Sequence, residues 1–457
     1  MTVLQEALKA SIKGSLSFDN EIEEKLLTDF VGSHIGHAEA YVKAQDENDI
    51  QVALKIAYQN KAPVVIRGAG TNLVGSTIPE GGIVLDVSGL NRILELDKEN
   101  LTLTVEPGVK LCDLISYVES RGFMYAPDPA EKEASIGGNV ATNAGGMRAV
   151  KYGVTRDFVQ ELDLIKINGE KVRLGANTRK NATGLSLHKL VTGSEGTLGV
   201  ISKIVLKLLP KPEFTLSTIL AFHSLADGIR TVNQIFKENL DPTAIEFVEK
   251  KVIALGEQFL GEDFPLPEAL AYLIVTLDGD KKGVFERLAK LKNLTVKHGL
   301  AFASLDLDDE VVASKVWSIR GALARAVKAS GIWEPVDTVV PLNKIADFVD
   351  YVDVVSKDLG VRIVAFGHAG DGNVHLCIIK DKISDDKWPS VLRETLHLLY
   401  KRVYALGGLL SAEHGIGKSK REYYLENVDT SERALMLGIK KAFDEFNLLN
   451  PHDGYAE

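Results

Sequence analysis

Two of the ten histidines in this 457-residue chain flank one tight turn. In the stretch AFGHAGDGNVHL, His368 and His375 stand on either side of a Gly-Asp-Gly-Asn sequence, where one strand could reverse into the next. A phosphate cradle, a metal site and an ordinary hairpin are all compatible with this pattern. Two imidazoles can bind a divalent metal, but two ligands rarely suffice for a site.

A third histidine lies further along the chain, beside an acid. The stretch AEHGIGKSK contains Glu413 and His414, with glycines that let the loop backbone approach a ligand. A His, His, Glu set with open positions is a catalytic metal arrangement suited to Zn²⁺ or Fe²⁺. The spacing favours this interpretation. The alternative is that each histidine is a hydrogen-bonded structural residue and that Asp371 caps the turn.

Three glycine-rich stretches earlier in the chain predict a site for a large ligand. IRGAGTNLVGS (66–76) follows a predicted strand, and glycines there could aim backbone N–H groups at a pyrophosphate. Leu73 stands where G-x-G-x-x-G would have its third glycine, so a plain tight turn explains this stretch alone equally well. SIGGNVATNAGG (135–146) and GSEGTLGVIS (193–202) repeat the composition and are predicted to form two further loops. Together they predict one domain that binds one extended, dinucleotide-sized molecule.

The elements around these motifs predict an α+β protein. Before the prolines of LPKP (209–212), helix and strand patterns alternate, with a parallel pairing for APVVIRG and GGIVLDVSGL and antiparallel strands such as LTLTVEPG. The prolines predict a domain boundary. Beyond them, strand–helix–strand signals predict helices on one face of an antiparallel sheet. Near the N-terminus, EIEEKLLTDFVGS has apolar residues at helical spacing and predicts a helix.

Composition and charge exclude several classes of protein. Hydrophobic content of 45% and charged content of 25% are typical of a soluble globular chain of two or three domains. The formal charge of -10 argues against a nucleic-acid partner. Cys112 and Cys377 form no paired motif, which suits a reducing cytoplasm and excludes an iron–sulfur cluster built from this chain alone. We find no signal peptide or spanning segment, and expect a cytoplasmic protein, at most peripheral at the inner face of the membrane.

The glycine-rich motifs also carry a family resemblance. RGAGTN, PGV (107–109), SIGGNVATNAGG, YG (152–153) and GSEGTLGVI resemble the FAD-binding domain of the vanillyl-alcohol oxidase/p-cresol methylhydroxylase superfamily. Within it, the chain is similar to the FAD-linked D-2-hydroxyacid dehydrogenases of the D-lactate dehydrogenase and glycolate oxidase catalytic-subunit type.

This resemblance implies an α+β fold with a two-part FAD-binding domain, made of a small mixed or parallel sheet and an antiparallel sheet. It also implies a ferredoxin-like α+β substrate (cap) domain and a C-terminal helical segment that returns to the FAD domain. The expected bounds are 1–40 for an N-terminal helical lead-in, 41–212 for the FAD-binding domain, 213–425 for the substrate domain with the metal site, and 426–457 for the C-terminal segment packing on the FAD domain.

The implied cofactor is FAD, with its pyrophosphate on the first glycine-rich stretch and its ribityl chain and ring on the other two. Residues 67–76 contain no histidine for covalent attachment, so we expect non-covalent FAD. The residues implied to bind it are Arg67, Gly68, Ala69, Gly70, Thr71, Asn72, Pro107, Gly108, Ser135, Gly137, Gly138, Asn139, Ala141, Thr142, Gly145, Gly146, Tyr152, Gly153, Glu195, Gly196, Gly199, Val200, Ile201 and Asn450.

The family's GHxGDGNxH and EHGxG motifs match at every fixed position. They imply metal ligation by His368, His375 and Glu413, with His414 as the general base. A metal-free imidazole has a pKa of about 6.5 and is suited to take a proton near neutral pH. In the implied reaction the metal binds the substrate's hydroxyl and carboxylate oxygens, His414 removes the hydroxyl proton, and the α-carbon hydride passes to flavin N5.

Two further residues have implied roles. Arg320, in VWSIRGALARAV, aligns with an arginine that binds the substrate carboxylate, the alternative being an exposed helix arginine. Lys420 matches a family lysine near the site. Relatives that act on 2-hydroxyglutarate carry a lysine where this chain has Pro335, which favours a short monocarboxylate. We expect D-lactate first and glycolate next.

Other functions stay open. They are D-2-hydroxyglutarate oxidation, a flavin-binding electron-transfer subunit, and a non-haem iron oxygenase, although the last leaves three glycine-rich stretches unexplained. The electron acceptor is open among a quinone, a cytochrome, oxygen, an electron-transferring flavoprotein and an iron–sulfur subunit. Formation of a homodimer is open as well.

Overall fold

The computed structural model describes residues 1–32 and 34–455, which form two compact units. Unit 1 comprises 1–145, 153–211 and 413–457, and unit 2 comprises 146–152 and 212–412. Ser33 of the expected N-terminal lead-in and residues 456 and 457 of the expected C-terminal segment lie outside the described residues. Residues 413–425, which the sequence assigned to the substrate domain, cluster with unit 1.

Unit 1 is built on two main sheets. Its strands are β1 (Ser15–Phe18), β2 (Ala40–Lys43), β3 (Val64–Arg67), β4 (Ile83–Asp86), β5 (Ile93–Asp97), β6 (Thr102–Val105), β7 (Phe123–Met124), β8 (Val159–Ile165), β9 (Lys171–Gly175), β10 (Val200–Lys207) and β11 (Leu209–Pro210). One sheet has the order β1-β2-β4-β3, with β2, β4 and β3 parallel and β1 antiparallel. The second, β5-β6-β10-β8-β9, is antiparallel, and β7 pairs with β11. The predicted combination of a mixed and an antiparallel sheet is confirmed.

Unit 2 contains one large antiparallel sheet. Its strands are β12 (Phe214–Phe222), β13 (Ala244–Glu249), β14 (Ala271–Gly279), β15 (Ala303–Asp306), β16 (Trp333–Val339), β17 (Arg362–His368) and β18 (Asn373–Ile379). They follow the order β15-β12-β14-β13-β17-β18-β16. All seven residues of β18 are buried, as expected of a strand inside a packed layer. The predicted α+β substrate domain is confirmed in its fold.

Helices cover or link these sheets. In chain order they are α1 (Val3–Ser11), α2 (Glu47–Asn60), α3 (Leu111–Glu119), α4 (Ile136–Thr142), α5 (Ala149–Tyr152), α6 (Thr155–Phe158), α7 (Leu187–Val191), α8 (Leu225–Lys237), α9 (Lys250–Leu260), α10 (Lys281–His298), α11 (Glu310–Ala329), α12 (Ile345–Leu359), α13 (Trp388–Ala405), α14 (Arg421–Asn427) and α15 (Thr430–Phe443). Of these, α5 and α8 to α13 belong to unit 2. Short 3₁₀ turns lie at Asp19–Glu21, Glu24–Leu26 and Leu342–Lys344.

Helix α2 shows how sequence signals define an element. The Asp46 side chain accepts a hydrogen bond from the backbone N–H of Asp49 and so caps the first turn. Ile50 and Leu54 lie one turn apart and are completely buried in the core of the mixed sheet. Lys61, in the left-handed region, ends the helix immediately before β3.

The predicted helix over EIEEKLLTDFVGS is wrong. The described part of this stretch contains the end of the 3₁₀ turn Asp19–Glu21, the 3₁₀ turn Glu24–Leu26 and otherwise irregular backbone. Ile22 and Leu27 are buried in a small apolar cluster, so their spacing reflects burial without a helix. The Asp29 carboxylate accepts the backbone N–H of Gly75 at 3.1 Å, a tertiary bond that competes with helical geometry.

Candidate active site

The two predicted histidine ligands lie together in unit 2. His368 ends β17, and His375 lies on β18, its antiparallel neighbour. His375 is directly opposite Phe366, two residues before His368, so both histidine side chains lie on one face of the sheet. Their rings meet edge to face, with centroids 5.1 Å apart.

Each histidine has a carboxylate on the next strand outward. Glu246 of β13 is opposite His368, and its Oε1 lies 2.6 Å from the histidine Nδ1. Asp337 of β16 is opposite His375, and its Oδ1 lies 3.5 Å from that Nδ1. A metal-bound histidine usually meets a carboxylate through its other ring nitrogen, which fixes the ring. Nε2 of each ring is therefore the nitrogen suited to a metal.

Arg320 of α11 is buried in an ion pair with Glu246. Its Nε and Nη2 donate to Oε2 at 2.9 and 2.5 Å. Burial raises the pKa of Glu246, but the attraction of His368 and Arg320 outweighs it and holds the pKa below its usual range. The carboxylate thus stays ionised and joins the histidine to the arginine, whose Nη1 lies outside the pair.

Asp337 is fixed by a separate set of hydrogen bonds. Asn373 Nδ2 donates to Oδ1 at 2.7 Å, while Ser411 Oγ and the backbone N–H of Ala412 donate to Oδ2, each at 3.0 Å. The carboxylate beside His375 therefore also holds the residue that precedes Glu413 in the chain.

Glu413 and His414 begin the last part of unit 1. His414 Nε2 is 3.9 Å from Glu413 Oε1. A Cβ at Gly145 would lie 2.9 Å from Glu413 Oε2, so the acid stands against the end of the second glycine-rich stretch. Within unit 1, a predicted metal ligand and a predicted flavin-binding residue are neighbours.

The loop after Glu413 is held by Glu195. This carboxylate accepts the backbone N–H groups of Ile416 at 2.9 Å and Gly417 at 2.8 Å, and the Ser76 hydroxyl at 3.2 Å. Burial raises the pKa of Glu195 despite these bonds and the nearby positive charge of Lys420. Lys420 is itself buried in unit 1. Glu195, predicted as a flavin contact, is thus engaged in positioning this loop.

The three glycine-rich stretches meet within unit 1. Ser135 Oγ accepts the backbone N–H of Ala69 and of Gly138, both at 3.3 Å, which joins the first stretch to the second. The carbonyl of Ala141 accepts the N–H of Glu195 at 2.8 Å, which joins the second to the third. Other predicted flavin residues on or beside these stretches are Gly68, Gly70, Thr71, Asn72, Pro107, Gly108, Thr142, Gly145, Gly153, Gly196, Gly199, Val200 and Ile201.

The second stretch differs from the loop that its composition predicted. Residues Ile136–Thr142 form α4, with Ser135 as its N-cap. Gly137 is needed because a Cβ there would lie 2.6 Å from Cβ of Pro107. Asn139 is buried, and its Nδ2 has no hydrogen-bond partner within the described residues. A buried donor of this kind fits a ligand rich in acceptor atoms.

Three predicted flavin residues have partners of their own. Arg67 donates to the carbonyls of Thr28 at 2.7 Å and Lys25 at 3.0 Å. Asn450 donates from Nδ2 to the carbonyl of Glu195 at 2.8 Å. Tyr152 belongs to unit 2 together with Gly146, and its hydroxyl donates to Asp278 at 2.8 Å.

Sequence reasoning missed three buried acids. Glu246 and Asp337 stand in AIEFVE and WEPVDTV, and a carboxylate in a strand of buried residues signals a buried partner. The third is Asp453, next to the Glu195 loop. Burial, and then the charge of Glu195, raise the pKa of Asp453 to about 8.

Comparison with known proteins defines the class. Residues 38–175 match the family described as FAD binding domain, and residues 211–453 match FAD linked oxidases, C-terminal domain. The chain belongs to the FAD-linked oxidases, and it is an oxidoreductase whose cofactor is FAD. The buried Asn139 donor and the joined glycine-rich stretches of unit 1 fit that cofactor.

Similar proteins of known name are enzymes of this kind. A D-lactate dehydrogenase of Anaerostipes hadrus is 38% identical over 90% of this chain and 88% of its own length. The glycolate oxidase subunit GlcD of Bacillus subtilis is 34% identical over 98% of this chain and 95% of its own. Among solved structures, p-cresol methylhydroxylase with substrate bound superposes with a TM-score of 0.80, at 17% identity, covering 99% of this chain and 96% of that one. The last comparison supports the predicted superfamily fold. None of the described helices is both long and apolar enough to cross a membrane.

Proposed function

We propose that this enzyme oxidises a short D-2-hydroxyacid to the 2-oxo acid with FAD and a divalent metal. D-Lactate is the expected substrate, and glycolate is next. The observation that carries the proposal is the pair of histidines on β17 and β18, each with a carboxylate at Nδ1. The names of the two relatives support the substrate class.

His368, His375 and Glu413 are the proposed ligands of a Zn²⁺ or Fe²⁺ ion. Glu246 orients the first imidazole and Asp337 the second, so that each ring presents Nε2. When bound, such an ion supplies a Lewis acid that lowers the pKa of a substrate hydroxyl.

The remaining roles are proposed for three further side chains. His414 is proposed to take the hydroxyl proton on an imidazole nitrogen, because an imidazole side chain can accept and release a proton near neutral pH. Arg320 binds the substrate carboxylate through Nη1, while Nε and Nη2 stay on Glu246. Lys420, buried beside Glu195, is proposed to add positive charge near the site.

Unit 1 is the proposed FAD-binding part and unit 2 the substrate part. FAD supplies the two-electron acceptor for the substrate α-carbon. Residues 67–76 contain no histidine, so the cofactor is proposed to be non-covalent. Pro335, buried on β16, provides no cation for a second carboxylate, which favours a monocarboxylic substrate.

The reduced flavin is proposed to be reoxidised by a separate acceptor, which is open among a quinone, a cytochrome, oxygen, an electron-transferring flavoprotein and an iron–sulfur subunit. The two cysteines, Cys112 and Cys377, are too few for a cluster in this chain.

Anaerobic bleaching of the bound flavin tests this function without knowledge of the acceptor. We expect D-lactate to bleach it and L-lactate to leave it oxidised. Exhaustive chelation should abolish bleaching, and the lost metal should restore it when added back. Full bleaching after chelation would contradict the metal assignment.

His414→Ala tests the base. The variant should keep its flavin and lose at least about 100-fold in the rate of bleaching, the usual contribution of a general base. His397→Ala, at an exposed position of α13, is the matched control and should bleach normally. Equal rates in the two variants would remove His414 from the mechanism.

A further inference from the structure

Residues 146–152 form a short segment that belongs to unit 2 and interrupts unit 1 at the end of the second glycine-rich stretch. The chain leaves unit 1 after Gly145 and returns at Gly153. Within unit 1 its two ends are tied together, because the carbonyl of Ala144 accepts the Thr155 hydroxyl at 2.7 Å. The segment therefore starts and ends at one point of unit 1, next to Gly145, which lies close to Glu413.

Within unit 2, the C-terminal end of this segment is anchored on β14. Asp278 accepts Lys151 Nζ on Oδ1 and the Tyr152 hydroxyl on Oδ2, both at 2.8 Å. Lys151 also pairs with Asp241 at 2.8 Å. The Asp278 side chain is 4% exposed and that of Asp241 is 58% exposed, so the pair with Asp278 is the better shielded from water.

The same segment packs against the histidine turn. A Cβ at Gly370 would lie 2.9 Å from Cγ2 of Val150, so the valine side chain occupies the space in front of this glycine. Gly370 lies between His368 and His375, and its N–H donates to the carbonyl of Ile245 at 3.3 Å. Val150 thus packs against the turn, whose backbone is also hydrogen-bonded to the residue before Glu246.

We propose that Asp278 is a positioning residue for the active site. By holding Lys151 and Tyr152, it keeps Val150 against the histidine turn and fixes the segment that continues the flavin-binding stretch. We assign Asp278 no direct contact with substrate or cofactor. The proposal rests on the proposed function in so far as that stretch binds FAD and that turn carries metal ligands.

Asp278→Asn removes the charge and keeps the size of the side chain. In the full-length holoenzyme we expect trypsin to cut after Arg148 and Lys151 roughly tenfold faster, because local opening of the segment becomes more frequent. FAD should dissociate several-fold faster, as followed by the recovery of flavin fluorescence. Heat unfolding followed by tryptophan fluorescence should change only slightly, because Lys151 keeps its ion pair with Asp241, whereas a general structural defect would lower the unfolding temperature clearly.

Two further variants complete the test. Asp278→Glu keeps the negative charge and should return both rates most of the way to the wild-type values. Asp308→Asn removes the same charge from an exposed position of unit 2 and should behave as wild type. The proposal is overturned if Asp278→Asn and Asp308→Asn give equal cleavage and equal FAD release. If the wild-type protein carries no FAD, the proposed function fails instead, and the trypsin comparison still decides whether Asp278 anchors the segment.

Discussion

Glu246→Gln should show how far the stability of unit 2 and the orientation of its proposed metal ligands depend on one buried carboxylate. Glu246 is completely buried, and its two oxygens serve different partners, Oε1 for His368 and Oε2 for Arg320. Glutamine keeps the shape but has one acceptor oxygen and no charge. Arg320, 5% exposed, then stays buried without its counter-charge.

The size of both effects follows from these contacts. Removing one partner of a buried ion pair costs about 3–5 kcal/mol, and we expect about 3 kcal/mol because Arg320 keeps slight solvent access. Loss of the carboxylate behind a metal-binding histidine lowers metal affinity about 10- to 100-fold. That second effect corresponds to about 1.4–2.8 kcal/mol of binding free energy.

The chain suits a direct assay. Its three tryptophans, Trp317, Trp333 and Trp388, all lie in unit 2, so urea unfolding followed by their fluorescence reports on that unit. Metal affinity is measured separately by competition with a chromogenic chelator.

A control lies on the same strand as Glu246. Burial raises the pKa of Glu249, so its charge contributes less, and Glu249→Gln should cost under about 1 kcal/mol. The double variant Glu246→Gln/Arg320→Gln removes both charges and should recover part of the lost stability. The reasoning is refuted if Glu246→Gln is no more destabilising than Glu249→Gln and binds metal as tightly as wild type.

Two further changes test unit 1. The pKa of Asp453 is raised to about 8 by burial and Glu195, so between about pH 4 and pH 8 the native state holds a proton that the unfolded chain has released. The stability that this group contributes is fully present at acid pH, below the pKa of the unfolded chain. It decreases as the pH rises towards about 8, and by neutral pH the unfolding free energy has fallen by about 4 kcal/mol. In Asp453→Asn, the unfolding free energy measured by calorimetry should depend less on pH over this range. If the wild type and the variant show the same dependence on pH, the carboxyl of Asp453 does not titrate there. Gly145→Ala should lower metal affinity about tenfold, because its Cβ would lie 2.9 Å from Glu413 Oε2. Gly438→Ala, where a Cβ meets nothing within 4 Å, should bind metal normally. If the two variants bind metal equally well, Gly145 does not influence the position of Glu413.

Local sequence patterns predicted the sheets well, but they did not predict the carboxylates that pair with the proposed histidine ligands. Alternating and continuous apolar runs indicate strands such as β3, β4 and β18, because this signal depends only on a few neighbouring residues. The pairing of Glu246 with His368 depends on β13 lying beside β17, although 122 residues separate the two. No local pattern specifies that neighbour. The sequence therefore suggested metal ligands but not the carboxylates that orient them.

The same limit explains two errors of local structure. EIEEKLLTDFVGS has helical spacing, but Ile22 and Leu27 are buried by irregular backbone that a tertiary bond to Asp29 stabilises. In SIGGNVATNAGG the glycines predicted a loop, whereas Ser135 caps a helix and Gly137 lets that helix approach Pro107. In both cases, contacts distant in sequence outweigh local preference.

The proposed ligands also differ in how firmly the fold holds them. His368 and His375 are set by strand register and by carboxylates on the flanking strands, so their separation can change little without disrupting the sheet. Glu413 lies outside regular structure, and the loop that follows it is held by Glu195 through two backbone N–H groups. Glu195 also accepts a hydrogen bond from the Ser76 hydroxyl of the first glycine-rich stretch and donates its own N–H to the carbonyl of Ala141 in the second. The order of Glu413, the third proposed ligand, is therefore tied to the order of the glycine-rich stretches. We expect a change in those stretches to alter metal affinity even though none of their residues is a proposed ligand.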